Sequence, residues 1–193
     1  MTKKTKKIVL TGAPSSGKTS VLQELQKKEL PHVVLVPESA VVLLSGGFPA
    51  PAHGDLGQIR VFQESILSLQ KNIEVIFEAK YPDATHFVLD RASLDGAAFW
   101  PPGPDDFWKT FSLDYQRELL NYAAVVFLEM PPEEFFGGVH KARFHNYQQS
   151  YESGLVLEKI WSQHPRFIKV PAQRDFQKKL DLVWTALKQE LNC

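Results

Sequence analysis

The sequence is almost without cysteine. Its one example, Cys193, is the last of 193 residues, so the chain offers neither a disulfide framework nor a cysteine-built metal site. Net charge is lacking too: Lys+Arg and Asp+Glu stand at 22 each, a balance that does not favour a nucleic-acid backbone or an anionic membrane as the main partner. No apolar run approaches the ~18 residues of a membrane span, and the start has no secretory apolar region. Internal repeats and low-complexity linkers are missing as well. These absences leave the expectation of a soluble, intracellular, cytoplasmic chain forming one domain over residues 1–193, large enough for a real core. Its basic start, with Lys3, Lys4, Lys6 and Lys7, reads as a solvated tail over residues 1–6 rather than an interaction tag.

What is present is alternation. Val/Ile/Leu-rich runs of strand length lie at residues 7–11, 32–37, 86–90, 123–129 and 166–170, continuous enough to be covered on both faces. Between them, residues 18–28, 58–80, 112–121, 146–164 and 176–191 have helical periodicity or context. Such β-α alternation predicts an α/β fold, a parallel sheet between two helical layers, with its sites at the carboxyl ends of the strands.

The first such end carries the sharpest signal. Gly12, Gly17, Lys18 and Thr19 fill the pattern G-x-x-x-x-G-K-[S/T] directly after one strand run and before a helix, which is a P-loop. The loop and first helical turn, Gly12, Ala13, Pro14, Ser15, Ser16, Gly17, Lys18, Thr19 and Ser20, are expected to bind a nucleotide. The glycines let successive N–H groups surround the β-phosphate, and the helix adds its positive dipole end. Lys18 would bridge β- and γ-phosphates, while the Thr19 hydroxyl would face Mg²⁺, a cation that draws ligands from phosphate oxygens.

Acids end the next two strand runs. In "LVPESA" Glu38 stands just past the apolar residues, placed either to take a proton from a substrate hydroxyl or hold a substrate group, or to complement the dipole of a helix starting at Ser39. In "HFVLDR" Asp90 suits the acid of a Mg²⁺ shell and Arg91 suits an anion clamp beside the transferred phosphoryl group. Asp95 either caps or orients Arg91 or is a plain first-turn acid.

Together the P-loop, "VPESA", "DRASLD" and the late "ARFHNYQQSYESGLVLEKIW…FIKVPA" resemble the AAA-like single-domain P-loop NTPase and kinase family. That family is akin to nicotinamide riboside kinase domains and, more distantly, to thymidylate and deoxynucleoside kinases. The resemblance spans nearly the whole chain and implies a five-stranded parallel core. It also implies Glu38 as the acceptor-side acid, Asp90 and Arg91 as the Asp-Arg pair, and Arg143 as the arginine of a lid over the phosphates, with His140 and Lys141 as alternatives for that role.

The lid has its own physical basis. Residues 131–146 join a Pro-Pro breaker, a Gly-Gly hinge and the cations Lys141 and Arg143, as a loop closing on a triphosphate needs. The stretch at 98–111 puts Phe99, Trp100, Phe107, Trp108, Asp105 and Asp106 in one expected loop. Either those aromatics and acids receive a planar, hydroxyl-bearing acceptor, or the aromatics anchor the loop to the body. Residues 170–176 follow the fifth strand run, where kinases of this build contact the base. No Asn-Lys-x-Asp guanine signature occurs, so ATP is the expected donor, with GTP the alternative. The expected activity is Mg²⁺-dependent transfer of the ATP γ-phosphate to a small nucleoside- or nucleotide-like acceptor. A nucleotide-dependent switch engaging a protein or lipid partner is the second reading.

Overall fold

The computed structural model describes residues 5–136 and 146–191. Its five strands, β1 (Lys6–Gly12), β2 (Val33–Val36), β3 (His86–Asp90), β4 (Ala124–Leu128) and β5 (Phe167–Val170), form one parallel sheet in the order β2-β3-β1-β4-β5. Around it lie α1 (Lys18–Gln26), α2 (Ser39–Ser45), α3 (Leu56–Lys80), α4 (Pro104–Thr110), α5 (Tyr115–Leu119), α6 (Tyr147–Trp161) and α7 (Phe176–Leu191). The expected α/β class and parallel five-stranded sheet are therefore present.

The period-two alternation of the strands divides the apolar residues between two cores. Val9, Phe87, Leu89, Val125 and Phe127 face one side, against Leu157 and Trp161 of α6 and Phe107 of α4. Ile8, Leu10, Val88 and Val126 face the other, against Val21 of α1 and Val183 and Leu187 of α7. Each fully buried Leu or Val contributes about 1.5–3 kcal/mol, so burial on two faces explains why these strands read as unbroken apolar runs.

Several boundaries differ from expectation, three of them for reasons the local contacts show. β2 stops at Val36 because Pro37 has no N–H to give the ladder. The helix expected at 112–121 shortens to α5: Ser112 adopts φ 52°, and Asp114 Oδ1 accepts the Arg117 N–H at 3.0 Å to start the turn at Tyr115. The expected loop at 98–111 contains α4 and an aromatic packing unit. Phe107 and Trp100 are buried, Trp100 Nε1 donates to Asp106 Oδ1 at 2.7 Å, and Trp108 stacks on Tyr115 at 5.3 Å. Of the two readings of that stretch, anchoring to the body is what these contacts do.

One helix is unusual in what it buries. α3 begins at the Asp55 cap, whose Oδ1 accepts the Gln58 N–H at 2.9 Å, and its buried residues are Gln63, Gln70 and Glu74. Lys7 Nζ reaches Glu74 Oε2 at 3.0 Å and Glu78 Oε1 at 2.8 Å, which neutralises the buried carboxylate. Among the described residues no helix is long and apolar enough to cross a membrane.

Candidate active site

Parallel pairing brings every strand's carboxyl end to one edge of the sheet, and the central strand β1 delivers its loop to the middle of that edge. Gly12 has φ 146°, and a Cβ there would stand 2.3 Å from Leu128 O. No side chain fits, so glycine is what lets the loop turn against β4. Gly17 at φ 91° is the N-cap of α1, and Ser15 adopts φ 65°. Thr19 and Ser20 lie exposed on the first turn of α1, so their side chains have access to solvent and ligand.

Lys18 folds back into its own loop. Its Nζ donates to Gly12 O at 2.9 Å and Ala13 O at 3.1 Å, and the residue is only 6% exposed. Burial, and next the charge of Arg91, bring its pKa down to about 8. Two helices brace the loop from behind. A Cβ on Gly154 of α6 would meet the Ala13 Cβ at 3.0 Å, and Lys179 of α7 donates from Nζ to Ser16 O at 3.0 Å and Glu129 O at 3.2 Å.

Beside the loop stands a charged cluster built from two strand ends. Leu10 pairs in register with Asp90, and the Arg91 N–H donates to Leu10 O at 3.1 Å with φ 65° at Arg91. That turn sends Arg91 toward β2, where its Nε meets Glu38 Oε1 at 3.2 Å, while Nη1 donates to Asp95 Oδ1 at 3.0 Å and the guanidinium lies 5.3 Å from the Phe99 ring centre. Glu38 occupies the N-cap position of α2 but makes no cap bond with its side chain. Its carboxylate pairs with Arg91, and its place at the helix start still complements the dipole of α2.

Asp90 is 9% exposed, and its Oδ1 has no hydrogen-bond partner. Burial, and then the Glu38 charge, raise its carboxyl to about 6 against the pull of Lys18 and Arg91. Asp95 is the opposite case, a buried acid with every need met. Besides Arg91 it accepts from the Thr11 hydroxyl, from the Ala92 N–H at 3.2 Å and from Trp161 Nε1 at 3.1 Å. It caps its own turn and orients Arg91 at once, so both readings of that residue hold.

A small cavity of about 50 Å³ opens beside this cluster, bordered by Glu38, Ser39, Gln63, Arg91 and Phe99. Arg143, with its alternatives His140 and Lys141, lies outside the described residues, as does most of the expected lid at 131–146. Residues 170–176 touch the site indirectly: the Ala172 N–H donates to Glu129 Oε2 at 2.9 Å. Reasoning from sequence singled out neither Gln63 nor Lys179. The signals for them were a Gln63, Gln70, Glu74 stripe along one face of α3 and a lysine inside the apolar stripe of α7.

Residues 7–179 match the family model described as "AAA domain", and the chain belongs to that family of P-loop NTPase domains. It is thus a nucleotide-binding domain of the NTPase/kinase type, a class whose members typically bind a nucleotide together with Mg²⁺. A search of curated proteins finds no match.

Proposed function

We propose that the protein transfers the γ-phosphoryl group of ATP to a hydroxyl of a small nucleoside- or nucleotide-like acceptor. The observation that carries this reading is the cavity bordered by Glu38 and Arg91 next to the P-loop lysine. A carboxylate and a guanidinium at the wall of this cavity suit a hydroxyl-bearing acceptor that enters by one edge.

The residues also suit a magnesium ion. Asp90 carries a buried carboxylate oxygen with no partner and Thr19 an exposed hydroxyl. No cluster of three or more His, Cys, Asp or Glu that could hold a metal occurs among the described residues, in keeping with a cation that takes most of its ligands from phosphate and water. Bound there, Mg²⁺ would neutralise charge on the β- and γ-phosphate oxygens.

In the proposed reaction Lys18 exchanges its bonds to Gly12 O and Ala13 O for phosphate oxygens. The acceptor oxygen forms a bond to the γ-phosphorus as the bond to the bridging oxygen breaks, the electron pair leaving with ADP. Glu38 takes the hydroxyl proton, and Arg91 stabilises charge on the moving phosphoryl group. Arg143, or Lys141 or His140 in its stead, closes over the phosphates. ATP is preferred to GTP because the guanine-reading Asn-Lys-x-Asp sequence is missing from the chain.

The test is a screen of nucleosides, nucleotides and vitamin-like alcohols with γ-labelled ATP and Mg²⁺. Label appearing on one acceptor class is the expected result. Steady hydrolysis with no acceptor labelled would instead favour a nucleotide-driven switch.

A further inference from the structure

The end of the sheet opposite the P-loop gathers cations on aromatic rings. All five strands are parallel, so their amino ends share one edge, and α1, α3 and α7 finish there. α1 stops at Gln26, and Lys28, just beyond it, holds its Nζ 5.0 Å from the centre of the half-buried Trp184 ring. Lys188, one turn after Trp184 on α7, holds its own Nζ 5.1 Å from the same ring. α3 ends at Lys80, whose Nζ lies 5.6 Å from the ring of its neighbour Tyr81. Tyr81 is 36% exposed, and Leu120, shortly before β4, is 64% exposed.

The cations of this edge are largely uncompensated. Lys6, Lys28, Lys80 and Lys188 are exposed and form no ion pair among the described residues. The nearby acids mostly have other partners: Glu24 pairs with Lys27, Glu190 with Arg166, and Glu74 and Glu78 with Lys7. Glu29 and Asp83 are the acids here without an ion pair. The sequence leading into β1 adds Lys3 and Lys4. Equal totals of acidic and basic residues in the chain therefore conceal an end face of positive sign. Helix C-termini attract lysines on their own account. That effect asks for neither a Trp ring between two of them nor exposed Tyr81 and Leu120 on the same edge.

We propose that this end face docks on an anionic phospholipid surface, with Lys28, Lys188 and Lys80 against the headgroup phosphates and Trp184, Tyr81 and Leu120 at the headgroup level. A ring with an apolar body and a polar tip, beside a lysine stem that carries its charge outward, suits the boundary between water and hydrocarbon. Each lysine brought to an anionic leaflet strengthens binding about fivefold. Nucleic acid fits this face less well. Arg166 is tied to Glu190, and Trp184 already carries an ammonium from Lys28 and another from Lys188 where a base would have to stack. Docking by this edge turns the P-loop edge away from the lipid, so the nucleotide site stays open to solvent. The proposal holds whether or not the chain transfers phosphate.

The test is co-sedimentation of the full chain with phosphatidylcholine vesicles, with and without phosphatidylserine, at low and near-physiological salt. Vesicles containing phosphatidylserine should bind about tenfold or more tightly than phosphatidylcholine alone, and the difference should shrink as salt rises. The double variant Lys28→Gln/Lys188→Gln should bind them about 25-fold more weakly, fivefold per lysine, with ADP affinity and Tm unchanged. Brominated phosphatidylcholine in the same vesicles should quench tryptophan fluorescence in the parent, and Trp184→Phe should remove that quench. Equal binding to both kinds of vesicle, full binding by the double variant, or a quench undiminished in Trp184→Phe overturns the proposal. So does a single-stranded oligonucleotide bound as tightly as the phosphatidylserine vesicles with no quench by brominated lipid, which would make the face a general polyanion site.

Discussion

Glu38 Oε1 forms an ion pair with Arg91 Nε at 3.2 Å while the same guanidinium donates from Nη1 to Asp95 Oδ1 at 3.0 Å. Arg91 therefore has a fully satisfied anchor in Asp95 and a second partner, Glu38, bordering the cavity. In the proposed reaction an acceptor hydroxyl entering there would compete for the Glu38 carboxylate without unfastening Arg91 from the body.

Replacement of Glu38 by Gln keeps the shape and leaves the P-loop untouched. Nucleotide affinity should remain within a few-fold while kcat for phosphoryl transfer falls by about 10²-fold or more, the size of effect ascribed to a positioned base. Single-turnover transfer and equilibrium ADP binding measure the two sides of that split. A variant as fast as its parent would show that Glu38 is not the base.

Substitution at Lys18 separates stability from function. Its pKa of about 8 lies below the ordinary value of 10.5, so the folded protein disfavours the ammonium. That penalty is complete below pH 8 and disappears as pH rises toward the unfolded value. Lys18→Met should abolish transfer and weaken nucleotide binding, yet raise the stability of the nucleotide-free protein at pH 7 by about 1–2 kcal/mol. The gain should shrink between pH 8 and 10. Urea melts of both proteins across that range give the comparison, and a destabilised Lys18→Met at pH 7 would mean that the bonds to Gly12 O and Ala13 O outweigh burial.

Asp90 has the mirrored sign. Its carboxyl stands at about 6, above the ordinary 3.8, so the folded state binds the proton more tightly and this group's contribution to stability falls as pH rises from about 4 to 6. Asp90→Asn should accordingly be more stable than the parent at pH 7.5 and no different at pH 4. In catalysis the free enzyme should show a bell in kcat/KM for ATP, with limbs near 6 and 8 that belong to the Asp90 and Lys18 pair as a unit. Raised Mg²⁺ should move the acid limb downward and partly rescue Asp90→Asn. An acid limb indifferent to Mg²⁺ would detach Asp90 from the metal.

The fold was legible where one physical signal dominated. Val9 and Leu10 face opposite cores, so β1 reads as an unbroken apolar run, and a strand buried on both faces between helical patterns leaves little choice but a parallel sheet. That in turn sends Glu38, Asp90 and Arg91 to one edge, as strand-ending residues. Local signals that tertiary contacts override were harder to read. Trp100 and Phe107 looked like loop aromatics because their core partners come from distant segments, and α5 lost its first residues to the positive φ of Ser112. Gln63 and Lys179 were invisible for a different reason. Polar residues on a helix's buried face look like ordinary solvent-exposed ones until the packing shows otherwise.

Lys179 offers the last test, because it joins two parts of the site that no strand connects. Its Nζ reaches Ser16 O in the P-loop and Glu129 O at the end of β4, and the Glu129 carboxylate in turn accepts the Ala172 N–H after β5. Burial lowers the Lys179 pKa, with Glu129 opposing, so the ammonium is retained at some cost in stability to hold those carbonyls. Lys179→Met removes that desolvation penalty but leaves two carbonyls without their donor, losses of about 1–3 kcal/mol each where water cannot reach; the opposing effects should leave the Tm within a few degrees of the parent. The P-loop, however, loses its tie to the β4 and β5 ends, and its N–H groups no longer meet a phosphate in a fixed array. Affinity for ATP and for ADP should fall about tenfold alike, with kcat at saturating ATP changed by less than threefold. Lys179→Arg, which keeps the cation, should recover part of the affinity. A loss confined to kcat, or equal affinity in Lys179→Met and the parent, would show that α7 supports the core without positioning the loop.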